Sequence, residues 1–121
     1  MITKFKIFEN INETEPEVGD YVLCDETYDN YYVSKYGFSY LGFLKYIKTH
    51  VGIIDHIADS VNYLCKFYYV RYDNLPKKYQ NLCDGKVRHM DISDIKYWSK
   101  NRENLTKKNI EIYNSTNNYN L

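Results

Sequence analysis

The chain lacks several residue patterns, and each absence argues against a class of protein. The five glycines are scattered singly, so no glycine-rich loop is present to cradle a phosphate group. The three cysteines are an odd number without regular spacing, which argues against a disulfide framework and for a reducing compartment. No apolar run reaches the length of a membrane span, and the first residues lack the apolar core of a secretion signal. We therefore expect a cytoplasmic protein without a membrane partner.

Residue sets that perform catalysis or bind metal ions are also missing. The three histidines and three cysteines match no zinc-ligand spacing. Asp55 and His56 are adjacent, but neighbouring side chains of a strand point to opposite faces, so we expect no base–orienter pair. Asp91 and Asp94 fit a one-turn acidic corner better than a pair of catalytic carboxylates. The sequence therefore predicts that the protein is not an enzyme and that it holds no cofactor and no metal ion.

Tyrosine dominates the composition: the chain has 15 tyrosines but a single alanine, Ala58. Aromatic and β-branched residues favour pleated, half-buried surfaces over helices. With 121 residues, 44% of them hydrophobic and 26% charged, the chain has the size and composition of one globular domain. The net charge is zero, yet the first 30 residues hold two lysines against eight acids. This asymmetry predicts either two oppositely charged faces or ordinary solvated surface.

Segments rich in aromatic and β-branched residues predict strands, with turn signals between them. We expect strands at residues 2–8, 20–26, 53–57, 63–72, 86–90 and 96–99. The aromatic segment 27–40 has weak periodicity and is predicted to be a loop or an irregular hairpin, and residues 41–48 a strand or a short helix. The isoleucines of residues 91–95 are three apart, which predicts a single 3₁₀ turn. Ser99 has the chemistry of an N-cap for a helix from Lys100 to Tyr113.

The order of these elements predicts a mostly β fold, an SH3-like barrel of five to six strands with a short C-terminal helix. A long loop after the first core strand and a 3₁₀ turn before the last strand are compatible with such a barrel. Closing the sheet would also remove exposed strand edges. We expect the barrel domain to span residues 1–99, and a C-terminal helix with a disordered tail to span residues 100–121.

Three segments support the barrel by resemblance. Val18–Val22, Val51–Ile57 and Tyr68–Tyr72 together resemble Tudor-, agenet- and KOW-like barrels, in which the first strand follows Gly-Asp, a glycine precedes the second strand and the third strand is aromatic. Asp94–Ser99 is similar to the end of small uncharacterised proteins from bacteriophages and large DNA viruses. The resemblance implies binding rather than catalysis, since such domains dock peptides or contact RNA, ribosomal and polymerase proteins. It also implies a location inside the host cell, if the protein is viral.

The aromatic segment is the first candidate binding surface. Six aromatic residues fall within thirteen positions: Tyr28, Tyr31, Tyr32, Tyr36, Phe38 and Tyr40. Tyrosine combines a large rigid contact area with a polar tip, which is the chemistry of protein interfaces. Stacking on bases or caging a cation would use the same ring faces. The competing interpretation is that half of these rings cap the open end of the barrel. We predict that this segment docks a protein partner.

A basic stretch near the C-terminus is the second candidate. Basic and aromatic residues are interleaved in it, as in proteins that follow a phosphate backbone. The set comprises Lys96, Tyr97, Trp98, Lys100, Arg102, Lys107 and Lys108. With only three arginines in the chain and a sequence pI of about 6.8, a solvated helix face explains the same pattern.

The sequence leaves three functional hypotheses open. The first is a non-catalytic binding module, viral or from a phage, that docks a protein partner through the aromatic segment and in its sharper form inhibits a host factor or host-defence complex. The second is an accessory domain that binds RNA or single-stranded nucleic acid through the basic stretch. The third is a minor structural component of a virion.

Overall fold

The computed structural model describes residues 11–59 and 65–119, so the strand predicted at residues 2–8 lies outside the described residues. Five antiparallel strands form one sheet. They are β1 (Tyr21–Cys24), β2 (Gly52–Asp59), β3 (Lys66–Arg71), β4 (Val87–Asp91) and β5 (Ile95–Ser99), in the order β4-β3-β2-β1-β5. All five were predicted from sequence. In β3 and β4 the side chains alternate between a buried and a more exposed face, which is the period of two expected of strands.

The predicted closed SH3-like barrel is wrong, because the sheet is open and the fold is mixed α/β rather than mostly β. β4 and β5 lie at opposite edges of the sheet, although only the 3₁₀ turn Ile92–Asp94 separates them along the chain. Among the described strands, β4 and β5 share no ladder. The outer edge of β5 is instead bonded to Asn12, whose backbone N–H donates to the Trp98 carbonyl at 3.0 Å and whose side-chain oxygen accepts from the Trp98 N–H at 2.8 Å.

The loop or hairpin predicted at residues 27–40 is also wrong, because this part of the chain is helical. Helix α1 spans Asn30–Tyr36 and helix α2 spans Phe38–Thr49. Gly37 separates them with φ 58° and ψ −128°, a conformation that side chains strongly disfavour. The short helix that was one alternative for residues 41–48 is confirmed. The inner face of α2 carries buried residues at positions 40, 43, 44 and 47, which is the spacing of one helix face.

The C-terminal region forms a helix that begins later than predicted. Helix α3 spans Lys107–Tyr119, and a 3₁₀ turn, Arg102–Leu105, precedes it. Ser99 is therefore not its N-cap. The Ser99 hydroxyl instead accepts from the Asn101 backbone N–H at 3.1 Å and from the Asn104 side-chain amide at 2.9 Å, which fixes the corner after β5. The predicted 3₁₀ turn before β5 is confirmed at Ile92–Asp94, and a further 3₁₀ helix lies at Lys77–Leu82.

Two apolar clusters hold the fold together. The larger lies between α2 and one face of the sheet, where Phe43 and Ile47 are completely buried against Val22, Ile54 and Val70. Complete burial of a side chain such as Phe or Ile contributes about 1.5–3 kcal/mol. The smaller cluster lies on the other face of the sheet and joins the rest of the chain to α3. It comprises Ile11, Leu23 and Leu105, with Tyr97, Ile110 and Tyr113 packed against them.

The sheet separates the two clusters, and each of its faces packs against one of them. Val22 belongs to the larger cluster and Leu23 to the smaller, because successive residues of β1 face opposite sides. Within the described ranges, no helix is long and apolar enough to cross a membrane.

Candidate functional site

The segment from residue 28 to residue 40 is here called the aromatic hairpin, because two helices meet in it at Gly37. It contains α1, Gly37 and the first turn of α2. It carries three of the five large hydrophobic side chains that the described part of the chain leaves exposed. Phe38 is 91% exposed, Tyr31 62% and Tyr28 55%. The other two, Val18 and Ile92, lie elsewhere in the chain. Three exposed aromatic side chains therefore fall within eleven consecutive residues of the chain.

The six aromatic residues predicted for this site divide into an outer and an inner set. Tyr28, Tyr31 and Phe38 are exposed, whereas Tyr32 and Tyr36 are half-buried and Tyr40 is fully buried. The Tyr32 ring stacks on Tyr36 at 6.1 Å and on Tyr40 at 5.4 Å between ring centroids. The Tyr32 ring also meets the outer Tyr31 ring edge-on at 5.5 Å, so the inner set supports this outer ring. The alternative in which half of the rings cap the open end of a barrel is wrong, because the sheet is open.

Tyr40, the last residue of the hairpin, is hydrogen-bonded to the backbone just before α1. Its hydroxyl accepts from the Asp29 backbone N–H at 3.2 Å and lies 3.4 Å from the Thr27 carbonyl, to which it donates. Burial raises the pKa of this hydroxyl, so it stays protonated and remains a donor. Asp29 in turn caps α1, since its carboxylate accepts from the Tyr31 N–H at 2.8 Å. The start of α1 is thus fixed from two sides.

An ion pair between Glu26 and Arg88 anchors the same region to the sheet. The guanidinium of Arg88 on β4 donates to the Glu26 carboxylate through two nitrogens, at 2.9 and 2.7 Å, and a third bond goes to the Leu82 carbonyl. Both side chains are almost buried, 9% and 11% exposed. The guanidinium also lies 5.1 Å from the centre of the Tyr32 ring, and this cation–π contact joins α1 to β4.

Sequence reasoning missed both members of this pair. The signal available was Arg88 itself, one of only three arginines, which falls between Val87 and His89 in the strand predicted at residues 86–90. An arginine on the inward face of a strand requires a buried acidic partner. The sequence does not show which of the acids supplies it, since Glu26 lies 62 positions away.

Lys35 adds a cation to the outer surface of the hairpin. Its ammonium lies 5.8 Å from the centre of the Tyr31 ring and 5.4 Å from that of Tyr36. The neighbouring phenol groups of Tyr31 and Tyr36 raise the pKa of Lys35, and a lysine is charged at neutral pH even at its ordinary pKa. The exposed surface therefore combines aromatic rings with one positive charge.

The aromatic members of the predicted basic stretch have structural partners. Tyr97 packs in the smaller cluster, where its hydroxyl donates to the Asn114 side chain at 3.1 Å, whereas Trp98 packs against the larger cluster on the other face of β5. The indole N–H of Trp98 donates to the Thr14 carbonyl at 2.6 Å. The two rings therefore do not form one stacking surface.

The basic members of that stretch have different surroundings, and two of them line the same groove. Lys100 pairs with Glu17 and Asp20, each at 3.2 Å. Lys96 and Lys107 line a groove beside α3. The remaining two, Arg102 and Lys108, are exposed.

The expected separation of Asp55 and His56 is wrong. A β-bulge between Ile54 and His56 lets the Asp55 carboxylate reach the His56 Nδ1 at 2.9 Å, and the same carboxylate accepts from Arg71 at 2.8 Å. These two hydrogen bonds, that from His56 first, lower the pKa of Asp55. The ring of His56 stacks on Tyr69 at 4.0 Å, so one ring face is already covered.

In residues 11–59 and 65–119, no group of three or more histidine, cysteine or acidic side chains is placed to hold a metal ion. No protein family, curated protein or solved structure matches this chain. The evidence for its function is therefore the geometry of its own side chains.

Proposed function

We propose that this protein is a non-catalytic protein-binding module that contacts its partner through the aromatic hairpin. The observation that carries the proposal is Phe38, which stands 91% exposed as the first residue of α2. A phenylalanine in water forgoes about 1.5–3 kcal/mol that burial in an interface would recover. Tyr31 and Tyr28 add two further rings of the type that dominates interface energetics.

The support beneath these rings favours binding, because a surface that is already ordered loses little entropy when a partner docks. The Asp29 cap, the buried Tyr40 hydroxyl and the pair of Glu26 with Arg88 hold α1 in place before any partner arrives. Each of these contacts fixes the backbone or the inner rings and leaves the outer rings free.

The charges around the hairpin favour a protein partner over a nucleic acid. Residues 28–40 contain one carboxylate, Asp29, and one cation, Lys35, and the carboxylates of Asp25 and Glu26 that precede them are paired with Lys48 and Arg88. A nucleic-acid surface needs an excess of positive charge, since binding depends on neutralising phosphates, and the hairpin has none. Aromatic docking to a protein should therefore persist at high salt, whereas phosphate binding should weaken steeply.

An affinity experiment with matched variants tests the proposal. The immobilised protein is incubated with nuclease-treated lysate at low and at high salt, and the retained proteins are identified and then purified for titration. We expect one protein to be retained at high salt, and the double variant Y31A/F38A to bind it at least about thirtyfold more weakly, since hot-spot residues cost 2 kcal/mol or more.

The control for this experiment is V18A, which removes an exposed apolar side chain outside the hairpin. It should bind like the unaltered protein. Equal binding of Y31A/F38A and V18A would refute the proposal. Retention of nucleic acid alone, lost at high salt, would favour the basic stretch instead.

A further inference from the structure

A groove runs along α3 and is also lined by residues of β1, β5 and the end of α2, and we call it the α3 groove. Its volume is about 630 Å³, within the range of sites that enclose small molecules. Its floor is apolar and comprises Leu23, Leu105, Ile110 and the ring of Tyr97. None of the residues that line it belongs to the aromatic hairpin.

Three lysines from three separate elements line the α3 groove. Lys48 comes from the end of α2, Lys96 from β5, and Lys107 is the first residue of α3. Two carboxylates, those of Asp25 and Glu111, also line it. Asp25 is paired with Lys48 at 3.6 Å. Among the side chains that the structure describes, Lys96 and Lys107 have no carboxylate within 4 Å.

This arrangement has the charge balance of a site for a single anion. With Lys48 satisfied by Asp25, the remaining charges are two ammonium groups and the carboxylate of Glu111. An excess of one positive charge complements one negative charge, whereas the two carboxylates would repel a polyphosphate or a nucleic-acid backbone. The apolar floor beside the lysines favours a ligand that carries its charge at one end of an apolar body.

We propose that the α3 groove binds a small amphiphilic monoanion, with its carboxylate or sulfonate between Lys96 and Lys107 and its apolar body on Leu23 and Ile110. The ring of Tyr97 lies below Lys96, whose ammonium is 5.7 Å from the ring centre, so the head group and the apolar body would meet at this residue. A medium-chain fatty acid and an aryl sulfonate share this chemistry. The site is separate from the proposed protein-binding surface, so either can fail without the other.

The test uses 8-anilino-1-naphthalenesulfonate, an aromatic monosulfonate whose fluorescence rises in apolar surroundings, and decanoate as an aliphatic competitor. We expect saturable binding of one probe per chain, and complete displacement by decanoate. The double variant K96Q/K107Q should weaken probe binding by about tenfold, as the loss of two charge-assisted contacts predicts.

Two matched controls make the result specific. The variant K45Q/K108Q removes two exposed lysines that do not line the groove and should bind the probe within about twofold of the unaltered protein. The variant Y31A/F38A should also retain binding, which separates the groove from the aromatic hairpin. Binding that does not saturate, that decanoate does not displace, or that is equal in K96Q/K107Q and K45Q/K108Q would overturn the proposal.

Discussion

Arg88 shows how much one side chain can determine in this fold. It bonds Glu26 and the Leu82 carbonyl and lies below the Tyr32 ring, so its loss would leave a nearly buried carboxylate without a partner. We predict that R88L lowers the free energy of unfolding by about 3–5 kcal/mol, as measured by urea denaturation.

Arg71 provides the comparison for this prediction. It also pairs with two carboxylates, Asp55 and Asp73, but its side chain is 37% exposed. R71L should therefore cost less than about 1 kcal/mol. Similar losses in R88L and R71L would contradict the view that burial of the ion pair gives Arg88 its importance.

The three cysteines differ in environment, and their reactivity should differ accordingly. Burial raises the pKa of Cys24 to about 12 and that of Cys83 to about 11, so both remain thiols near neutral pH. Cys65 is exposed. We predict that one thiol per chain reacts rapidly with Ellman's reagent at neutral pH, and that all three react in urea.

The variant C65S identifies the reactive thiol. It should remove the rapid phase. Cys24 and Cys83, which react only in urea, should react there at an unchanged rate. A rapid phase that persists in C65S would show that Cys24 or Cys83 is more accessible than the structure indicates.

Some side-chain relations could not be read from the sequence at this scale. The pairing of Asp55 with His56 depends on a bulge that exists only because β2 and β3 pair in one particular register. Likewise, the aromatic segment was predicted as a whole, but whether Tyr31 or Tyr40 is exposed depends on which helix face packs on the sheet. Composition alone does not contain that information.

At the level of elements, the strands were predictable, α1 was not, and α2 was predicted only in part, as one of two alternatives for residues 41–48. β3 consists largely of aromatic and β-branched residues, and β2 carries three isoleucines, so local preference and final structure agree. In α2 the buried spacing of positions 40, 43, 44 and 47 was present, but Leu41 and Tyr46 between them obscured it. Packing on the sheet overrides the weak helix preference of such a segment.

Gly37 is the element-scale feature on which the aromatic hairpin depends. Nothing lies within 4 Å of where its Cβ would be, so a side chain there is opposed only by the backbone conformation. We predict that G37A lowers the free energy of unfolding by about 1–3 kcal/mol and weakens partner binding.

Ser34→Ala is the control, because Ser34 lies on the exposed face of α1 and should tolerate the change. The measurement is urea denaturation of both variants, followed by titration with the captured partner. If G37A binds the partner as well as S34A does, the angle between α1 and α2 has no role in recognition.

For the whole molecule, the uneven charge of the sequence is largely neutralised within the fold. Acids from the first 30 residues pair with basic residues from the rest of the chain: Glu15 with Lys66, Glu17 and Asp20 with Lys100, Asp25 with Lys48, and Glu26 with Arg88. These contacts oppose a strong separation into one acidic and one basic face. The exposed aromatic rings are therefore a more distinctive feature of the surface than its charge.

The most direct test of protein binding through the aromatic hairpin is site-specific photo-crosslinking. The photoreactive residue p-benzoylphenylalanine is placed at position 38, 18 or 92, each of which is exposed, and the protein is irradiated in nuclease-treated lysate. We predict a single dominant crosslinked protein from position 38, with no such product from positions 18 and 92. The same product in equal yield from all three positions, or none from position 38 in a lysate that contains a protein retained by the affinity experiment, would contradict the central claim.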